Sequence, residues 1–375
     1  MSSPSMAMNE AASSVPGFPG APSTDARSAR SDGQAPHTPR PWLSFLIPAY
    51  NVQGYLRESV ASALGQSDAQ VEVLIVDDCS TDDTPALMRR LAEEDSRVRC
   101  IFHERNQGVS VTRNTLLDHA RGDYFWFLDA DDWLMPGAVP RLRAIIEQQA
   151  PSLVMCDYRM IREAPKLKHR LRGHPRKSTF KGPVRQRITE ASTIMTGTFR
   201  GGQMHPWSKI ARRELWGSDL RFPAGRHFED MHLLPFLALR APDLWYEPAV
   251  WVAYRQRAGS IMHTLNPDKA GDLAWAMSGL KEAAEAGDRS PKRLGDEACF
   301  AWSNTVARKF IGASRMMWRF DPVRAPALID DYRRLMESQL PIPLDALLSG
   351  YRRRGWWLRA WRLERWLARA VPARR

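Results

Sequence analysis

Cysteine is scarce: Cys79, Cys100, Cys156 and Cys299 are the only four in 375 residues. They are too far apart for a disulfide framework or a cysteine metal site and read as core or loop thiols in a reducing compartment. Long apolar runs are missing too. No window approaches the roughly 18 uninterrupted apolar residues of a membrane span. The start, MSSPSMAMNEAASS, lacks a basic stretch leading into an apolar one, so no secretory signal is expected. Glycine-rich phosphate cradles are also absent. Neither G-x-G-x-x-G nor a P-loop follows the first strand-like run, where the turn is Pro48-Ala49-Tyr50-Asn51. A nucleotide held by this chain would need another grip on its phosphates.

What is present suffices for a folded enzyme-sized body. Hydrophobic residues make up 43% of the chain, and the formal net charge is +12, unevenly placed. Residues 1 to 40 are rich in Ser, Pro, Ala and Gly without apolar periodicity, which predicts a disordered tail. From 41 to 262 strand-like and helix-like segments alternate. Strands are expected at Leu43–Pro48, Val71–Val76 and Val98–Phe102, and helices at Tyr55–Leu64, Thr84–Glu94 and within Gly108–Ala120. This alternation predicts an α/β fold with a mostly parallel, doubly wound sheet and helices on both faces.

The centre of the sequence is Tyr124-Phe125-Trp126-Phe127-Leu128-Asp129-Ala130-Asp131-Asp132-Trp133. A short aromatic run reads as a buried strand, and ligands bind beyond the carboxyl ends of such strands. Alternation along a strand would bring Asp129 and Asp131 out on one side. Two carboxylates there repel, and a divalent cation, Mg2+ or Mn2+, would turn that repulsion into a grip on a substrate's phosphates. Tyr50 offers a ring face for a base, and Asp77 or Asp78 can accept from base N–H groups. Read locally, the same residues serve as a turn tyrosine, helix caps and an acidic turn.

Four segments together carry a family resemblance: Ile47-Pro48-Ala49-Tyr50-Asn51, Val76-Asp77-Asp78-Cys79-Ser80-Thr81-Asp82, Asn106-Gln107-Gly108-Val109-Ser110-Val111-Thr112-Arg113-Asn114 and Leu128-Asp129-Ala130-Asp131-Asp132. In order and spacing the chain resembles the family 2 inverting glycosyltransferases of GT-A fold. Pro206-Trp207-Ser208-Lys209-Ile210, Phe228-Glu229-Asp230 and Tyr254-Arg255-Gln256-Arg257-Ala258-Gly259-Ser260-Ile261 look like later landmarks, so the resemblance covers about 42 to 262. It implies that Pro48, Tyr50 and Asp78, with Asp77, hold the nucleobase and that Arg113 lies near the nucleotide. It implies an Asp-x-Asp element, Asp129-Ala130-Asp131, on ribose and metal-bound diphosphate. Asp230 would be the general base, with Glu229 supporting it. The donor would be a nucleotide-sugar, UDP-linked, and the acceptor a glycan or lipid-linked hydroxyl in surface-polysaccharide assembly. Trp207, Lys209, Glu229 and His263 are candidates for the acceptor pocket, His263 also for the metal shell.

Two basic segments remain. Arg162, Lys166, Lys168, Arg170, Arg172, Arg176, Lys177, Lys181 and Arg185 fall within 159–187, read as a solvated loop or as a flap drawn to anionic glycans or headgroups. Residues 263–375 read as helical, ending in Tyr351–Arg369. On a helix, Arg359, Arg362, Arg365 and Arg369 would gather on one side and Trp357, Trp361, Leu363 and Leu367 on the other. That pattern suits either a helix lying on an anionic membrane surface through 351–375 or one packed on the body. The expected location is therefore cytoplasmic, peripheral at the inner face of the cell membrane. Arg362-Leu363-Glu364-Arg365-Trp366 lacks the glutamine of the Gln-x-x-Arg-Trp element of processive synthases, and no spans surround it. A sugar nucleotidyltransferase would want a glycine-rich basic loop where Pro48-Ala49-Tyr50-Asn51 stands. A non-catalytic nucleotide or anionic-polymer binder is the other alternative, but the charge lies in a loop and a tail, so no nucleic-acid partner is expected.

Overall fold

The computed structural model describes residues 40–67, 70–163, 175–256 and 267–370. The expected disordered tail and His263 therefore lie outside the described residues, as do Lys166, Lys168, Arg170 and Arg172 of the basic segment.

Among the described residues ten strands form one sheet: β1 (Leu43–Ala49), β2 (Val71–Asp77), β3 (Val98–Phe102), β4 (Tyr124–Phe127), β5 (Trp133–Leu134), β6 (Leu153–Arg162), β7 (Arg176–Lys177), β8 (Arg187–Ile188), β9 (Lys209–Arg212) and β10 (Leu244–Gln256). The order is β3-β2-β1-β4-β9-β6-β10-β5, with β7 beside β6 and β8 beside β10. β1 to β4 pair in parallel, as do β6 and β10, while β9 runs antiparallel between β4 and β6. Register places Ala49 opposite Asp77, and Leu46 opposite Phe127. The carboxyl ends of β1, β2 and β4 thus open along one edge.

Side-chain alternation along these strands feeds two apolar layers. Leu43, Phe45, Ile47, Val73, Ile75 and Trp126 pack with the helices Leu56–Leu64, Thr84–Glu94 and Ala138–Gln149. Leu46, Leu74, Val76, Phe125 and Phe127 face the other way, onto Val109–His119, Ala191–Gly201 and Glu229–Arg240. That second layer continues without a break into the C-terminal helices, as far as Leu363. The region read as helical opens with two short helices, Pro267–Trp275 and Leu280–Ala286, the second preceded by Gly279 with φ +79°. The next helix, Pro291–Phe320, is broken near its start at Gly295, where φ is +76°.

The closed end of the sheet is pinned by a buried acid. Glu72 accepts from Ser44 Oγ at 2.5 Å and from the Arg121 amide, and pairs with Arg99 at 2.8 Å. Gly122 sits so close to β1 that an added Cβ would fall 2.5 Å from Ser44 N and Oγ. Gly122→Ala is therefore expected to lower unfolding free energy by about 1–3 kcal/mol, the usual cost of overpacking, read by denaturant titration; wild-type stability would show that β1 yields there.

Candidate functional site

The turn after β4 is the first part of the site. The strand stops at Phe127, and the Asp132 amide donates to Asp129 O at 2.9 Å, closing a turn. This corrects the expectation that strand alternation orients Asp129 and Asp131: a turn does so, because the apolar pairing with β1 ends at Phe127. Both acids are partly exposed, and Asp132 is buried. Asp132 Oδ1 accepts from the Arg255 amide at 2.8 Å, while Oδ2 has no hydrogen-bond partner. Burial, then the charges of Asp129 and Asp131, push the Asp132 carboxyl well above its usual range. Arg255 braces the turn, donating from Nε to Asp131 O at 2.7 Å and from Nη2 to Glu58 at 2.5 Å. Its guanidinium lies 4.6 Å from the Trp133 ring centroid and 5.1 Å from that of Tyr55.

Arg113, in the helix Val109–His119, joins this turn to the first turn of the helix Glu229–Arg240. Nη2 donates to Asp129 Oδ1 at 3.1 Å and Nη1 to Glu229 Oε1 at 2.6 Å. The guanidinium is buried over the Phe222 ring, and Nε has no partner. Burial opposes its charge, but Asp129, Glu229 and Asp230 outweigh burial and hold it on.

Asp230 lies next to that pair. Burial raises its carboxyl above the usual range, and Arg113, Lys309 and Lys209 pull against that shift. His205 Nδ1 is 3.7 Å from Asp230 Oδ2. Burial, with Lys209 nearby, pushes the His205 imidazole down to about 4, so it is neutral at physiological pH and makes no ion pair there. His205 stacks on Trp207 at 4.7 Å, and Tyr158 and Tyr254 complete the aromatic wall. Trp207 itself is only 1% exposed, and its carbonyl accepts from Trp126 Nε1 at 2.8 Å. Lys209 is buried as well, its ammonium donating to Gln203 O, to His205 O at 3.2 Å and to Ser208 Oγ at 2.9 Å. These two pocket candidates are thus buried and present no open face.

Lys309 carries no sequence signal for this site. It comes from the helix Pro291–Phe320, touches Met231 Sδ at 2.8 Å, and burial lowers its ammonium to about 8. Only the tertiary packing of that helix brings it to Asp230.

Two tight turns form the other half of the site. Asn51 (φ +52°) and Cys79 (φ +61°) are left-handed, and so is Phe228 (φ +59°) ahead of Glu229. Such strain concentrates where a loop must present groups to a ligand. The turns are tied across: Asn51 N donates to Ser80 Oγ at 2.9 Å, and Thr81 N to Asn51 Oδ1 at 2.8 Å. Asp78 is occupied with the loop before Arg113, accepting from the Gln107 and Gly108 amides at 2.9 and 2.8 Å, with His103 Nδ1 at 2.9 Å. Asp77 is buried, accepts from Ser80 N at 3.1 Å through Oδ2, and has no partner at Oδ1. Tyr50 is 48% exposed above Pro48, which is half-buried. The edge therefore offers, in order, an exposed ring, an unengaged buried acceptor, an acidic turn and an enclosed carboxylate.

The family model for glycosyl transferase family 2 matches residues 44–210. That segment is similar to glycosyltransferase family 2. The matched segment holds the Asp77-Asp78 and Asp129-Ala130-Asp131 elements, while Asp230 and Lys309 lie beyond it. The chain is 32% identical over 231 residues to the succinoglycan biosynthesis protein ExoO of Rhizobium meliloti, covering 61% of this chain and 64% of ExoO. It is 28% identical over 243 residues to the glycosyltransferase GlyA of Streptococcus pneumoniae, covering 63% of this chain and 34% of GlyA. The chain thus spans about a third of one relative and under two thirds of the other. In fold it is similar to S. aureus TarS 1-349, solved in complex with UDP-GlcNAc: the TM-score is 0.53 at 22% identity, over 79% of this chain and 90% of TarS 1-349. The architecture is GT-A.

The basic segment turns out differently from a free loop where it is described. Arg176 pairs with buried Asp157 at 2.8 Å, Arg185 with buried Glu247 at 2.9 Å, and Arg187 with Asp243. These cations neutralise acids on and beside β6 and β10, a pairing across sequence distance that local composition does not reveal.

Lys309→Met should move the acid limb of the turnover–pH profile to higher pH. Removing a neighbouring cation makes the Asp230 carboxylate harder to ionise, so its proton is retained to higher pH. An acid limb at the wild-type position would show that Lys309 does not act on Asp230.

Proposed function

We propose that this glycosyltransferase moves a sugar from a UDP-linked donor to a hydroxyl of a glycan or lipid-linked acceptor, with inversion, in surface-polysaccharide assembly. Its place would be the cytoplasm, beside the inner face of the membrane. The observation that carries the reading is the bridge from Asp129 through Arg113 to Glu229, with Asp230 next in chain. It sets the acidic turn and Glu229, the chain neighbour of the candidate base, on one buried guanidinium.

In this reading Tyr50 stacks on the base, and Asp77 Oδ1 accepts from a base N–H, which supplies the partner that this buried oxygen lacks. The UDP assignment draws on the similarity to TarS, solved with UDP-GlcNAc. Asp129 and Asp131 would hold Mn2+ or Mg2+. Among the described residues no cluster of three or more His, Cys, Asp or Glu side chains forms a metal site. Two hard carboxylates completed by phosphate oxygens and water nevertheless suit either cation. The crowding of Asp129 and Asp131 against Asp132 is what a cation at the turn would relieve. When bound, the metal supplies Lewis-acid stabilisation of the departing diphosphate.

The remaining work falls to side chains of this chain. Asp230 takes the acceptor hydroxyl's proton as the oxygen attacks the anomeric carbon from the face opposite the diphosphate. Lys309, Lys209 and Arg113 favour its ionised form, while neutral His205 adds no competing charge. Glu229 keeps Arg113 aimed at Asp129. A single displacement with one base inverts the anomeric centre and leaves no covalent intermediate.

Asp131→Ala is expected to abolish Mn2+- or Mg2+-dependent thermal stabilisation by UDP. Asp230→Asn should keep that stabilisation and reduce turnover roughly 100-fold or more, the scale of losing a general base. Sugar transfer by Asp230→Asn at the wild-type rate would move the base role elsewhere.

A further inference from the structure

The helix Trp357–Leu367 does not divide into the basic side and tryptophan side that its sequence suggests. Ala360 and Leu363 are buried against the body, and Leu367 packs beside them. Trp357 and Trp361 point outward instead, 64% and 51% exposed, and Leu358 between them is 56% exposed. Arg362 and Arg365 share that exposed arc, and the Arg365 guanidinium lies 5.2 Å from the centroid of the Trp361 ring. Indoles and guanidiniums therefore project together.

The base of this helix is firmly set. Arg359 donates to Asn304 Oδ1 at 3.1 Å, as does Tyr351 OH at 3.2 Å. Trp356 packs on Phe300 and Tyr351. At the far end Arg369 lies between the Trp318 and Trp366 rings, 4.5 Å from each. Just past Trp318 along the chain, Phe320 and Val323 are also exposed, at 50% and 89%. Residues 351–370 contain seven arginines and one acid, Glu364.

We propose that the outward face of this helix, centred on Trp357, Leu358 and Trp361, docks on an anionic lipid bilayer. Indoles at a surface suit the boundary between headgroup and acyl chain, where the ring is apolar and its N–H stays wet. Arginines on the same arc meet lipid phosphates, while their stems lie along apolar surface. Leu358 and Val323 favour lipid over nucleic acid, since an aliphatic side chain offers a base no stacking face. The proposal rests on the proposed function only for its choice of the inner leaflet, where a lipid-linked acceptor would be presented.

The test uses flotation of the full chain with phosphatidylcholine vesicles and with vesicles that also contain phosphatidylglycerol. Release of UDP from a UDP-sugar is followed in parallel. The protein should float with the anionic vesicles and not with the neutral ones. Trp357→Ser with Trp361→Ser should abolish flotation. Arg362→Glu with Arg365→Glu should weaken it roughly thirtyfold or more, as loss of two cations near an anionic surface implies. Both pairs should release UDP as wild type does, which excludes misfolding as the cause. Wild type left at the bottom with anionic vesicles, or either pair floating like wild type, overturns the proposal. So does tighter retention by duplex DNA than by the vesicles at equal phosphate, or a dimer that the tryptophan pair dissolves. Failure of wild type to release UDP would count against the proposed function alone, because flotation needs no donor.

Discussion

Arg113 is the cation on which the site depends. Its side chain is buried, and it is held there by carboxylates from two distant segments, Asp129 after β4 and Glu229 at the start of a helix. Removing the guanidinium would leave two acids facing each other in a shielded space, a situation costlier than never having buried them. The bridge also fixes geometry. Asn114, the next residue, exchanges hydrogen bonds with both backbone groups of Phe222. Phe222 in turn packs against Phe127, the last residue of β4. One helix thereby holds the acidic turn and the approach to Glu229-Asp230 in register.

Around Asp230 the electrostatics are arranged by exclusion as much as by attraction. Burial favours the protonated acid, and nearby cations favour the carboxylate. His205, a group that elsewhere would compete for the proton, is held neutral by its burial and by Lys209 nearby. Lys209 cannot swing toward Asp230 because three acceptors hold its ammonium.

Much of the first half was legible because its signals are local. Apolar runs of strand length between glycine and acid-rich turns mark β1, β2 and β3, and Thr84–Glu94 and Val98–Phe102 have the ends that periodicity predicts. The spacing of Asp77-Asp78, Arg113 and Asp129-Ala130-Asp131 likewise locates the open edge. Where contacts join distant segments, sequence falls silent. β9 inserts antiparallel between β4 and β6, the arginines at 176, 185 and 187 find acids on or near strands far along the chain, and Lys309 arrives from a helix whose own pattern says only that it is apolar. Trp207, a candidate for the acceptor pocket, is packed into the core instead. The terminal helix was misjudged for a related reason: an ideal helical wheel does not know which arc the body will cover, and Ala360, too small to mark a face, turned out to be the one buried with Leu363.

The apolar layer that begins at Leu46 in the first strand runs on to Leu363, and the helix Pro291–Phe320 lies within it. That helix presents Lys309 to the neighbourhood of Asp230 and, through Asn304, receives Tyr351 and Arg359 from the end of the chain. A fragment stopped near 262 would carry the acidic turn but leave Phe199, Leu234 and Leu237 without the helices that cover them, and one trimmed to residues 44–210 would lose Leu234 and Leu237 as well. The family match therefore ends well short of the smallest body that buries this layer, which extends nearly to the last helix.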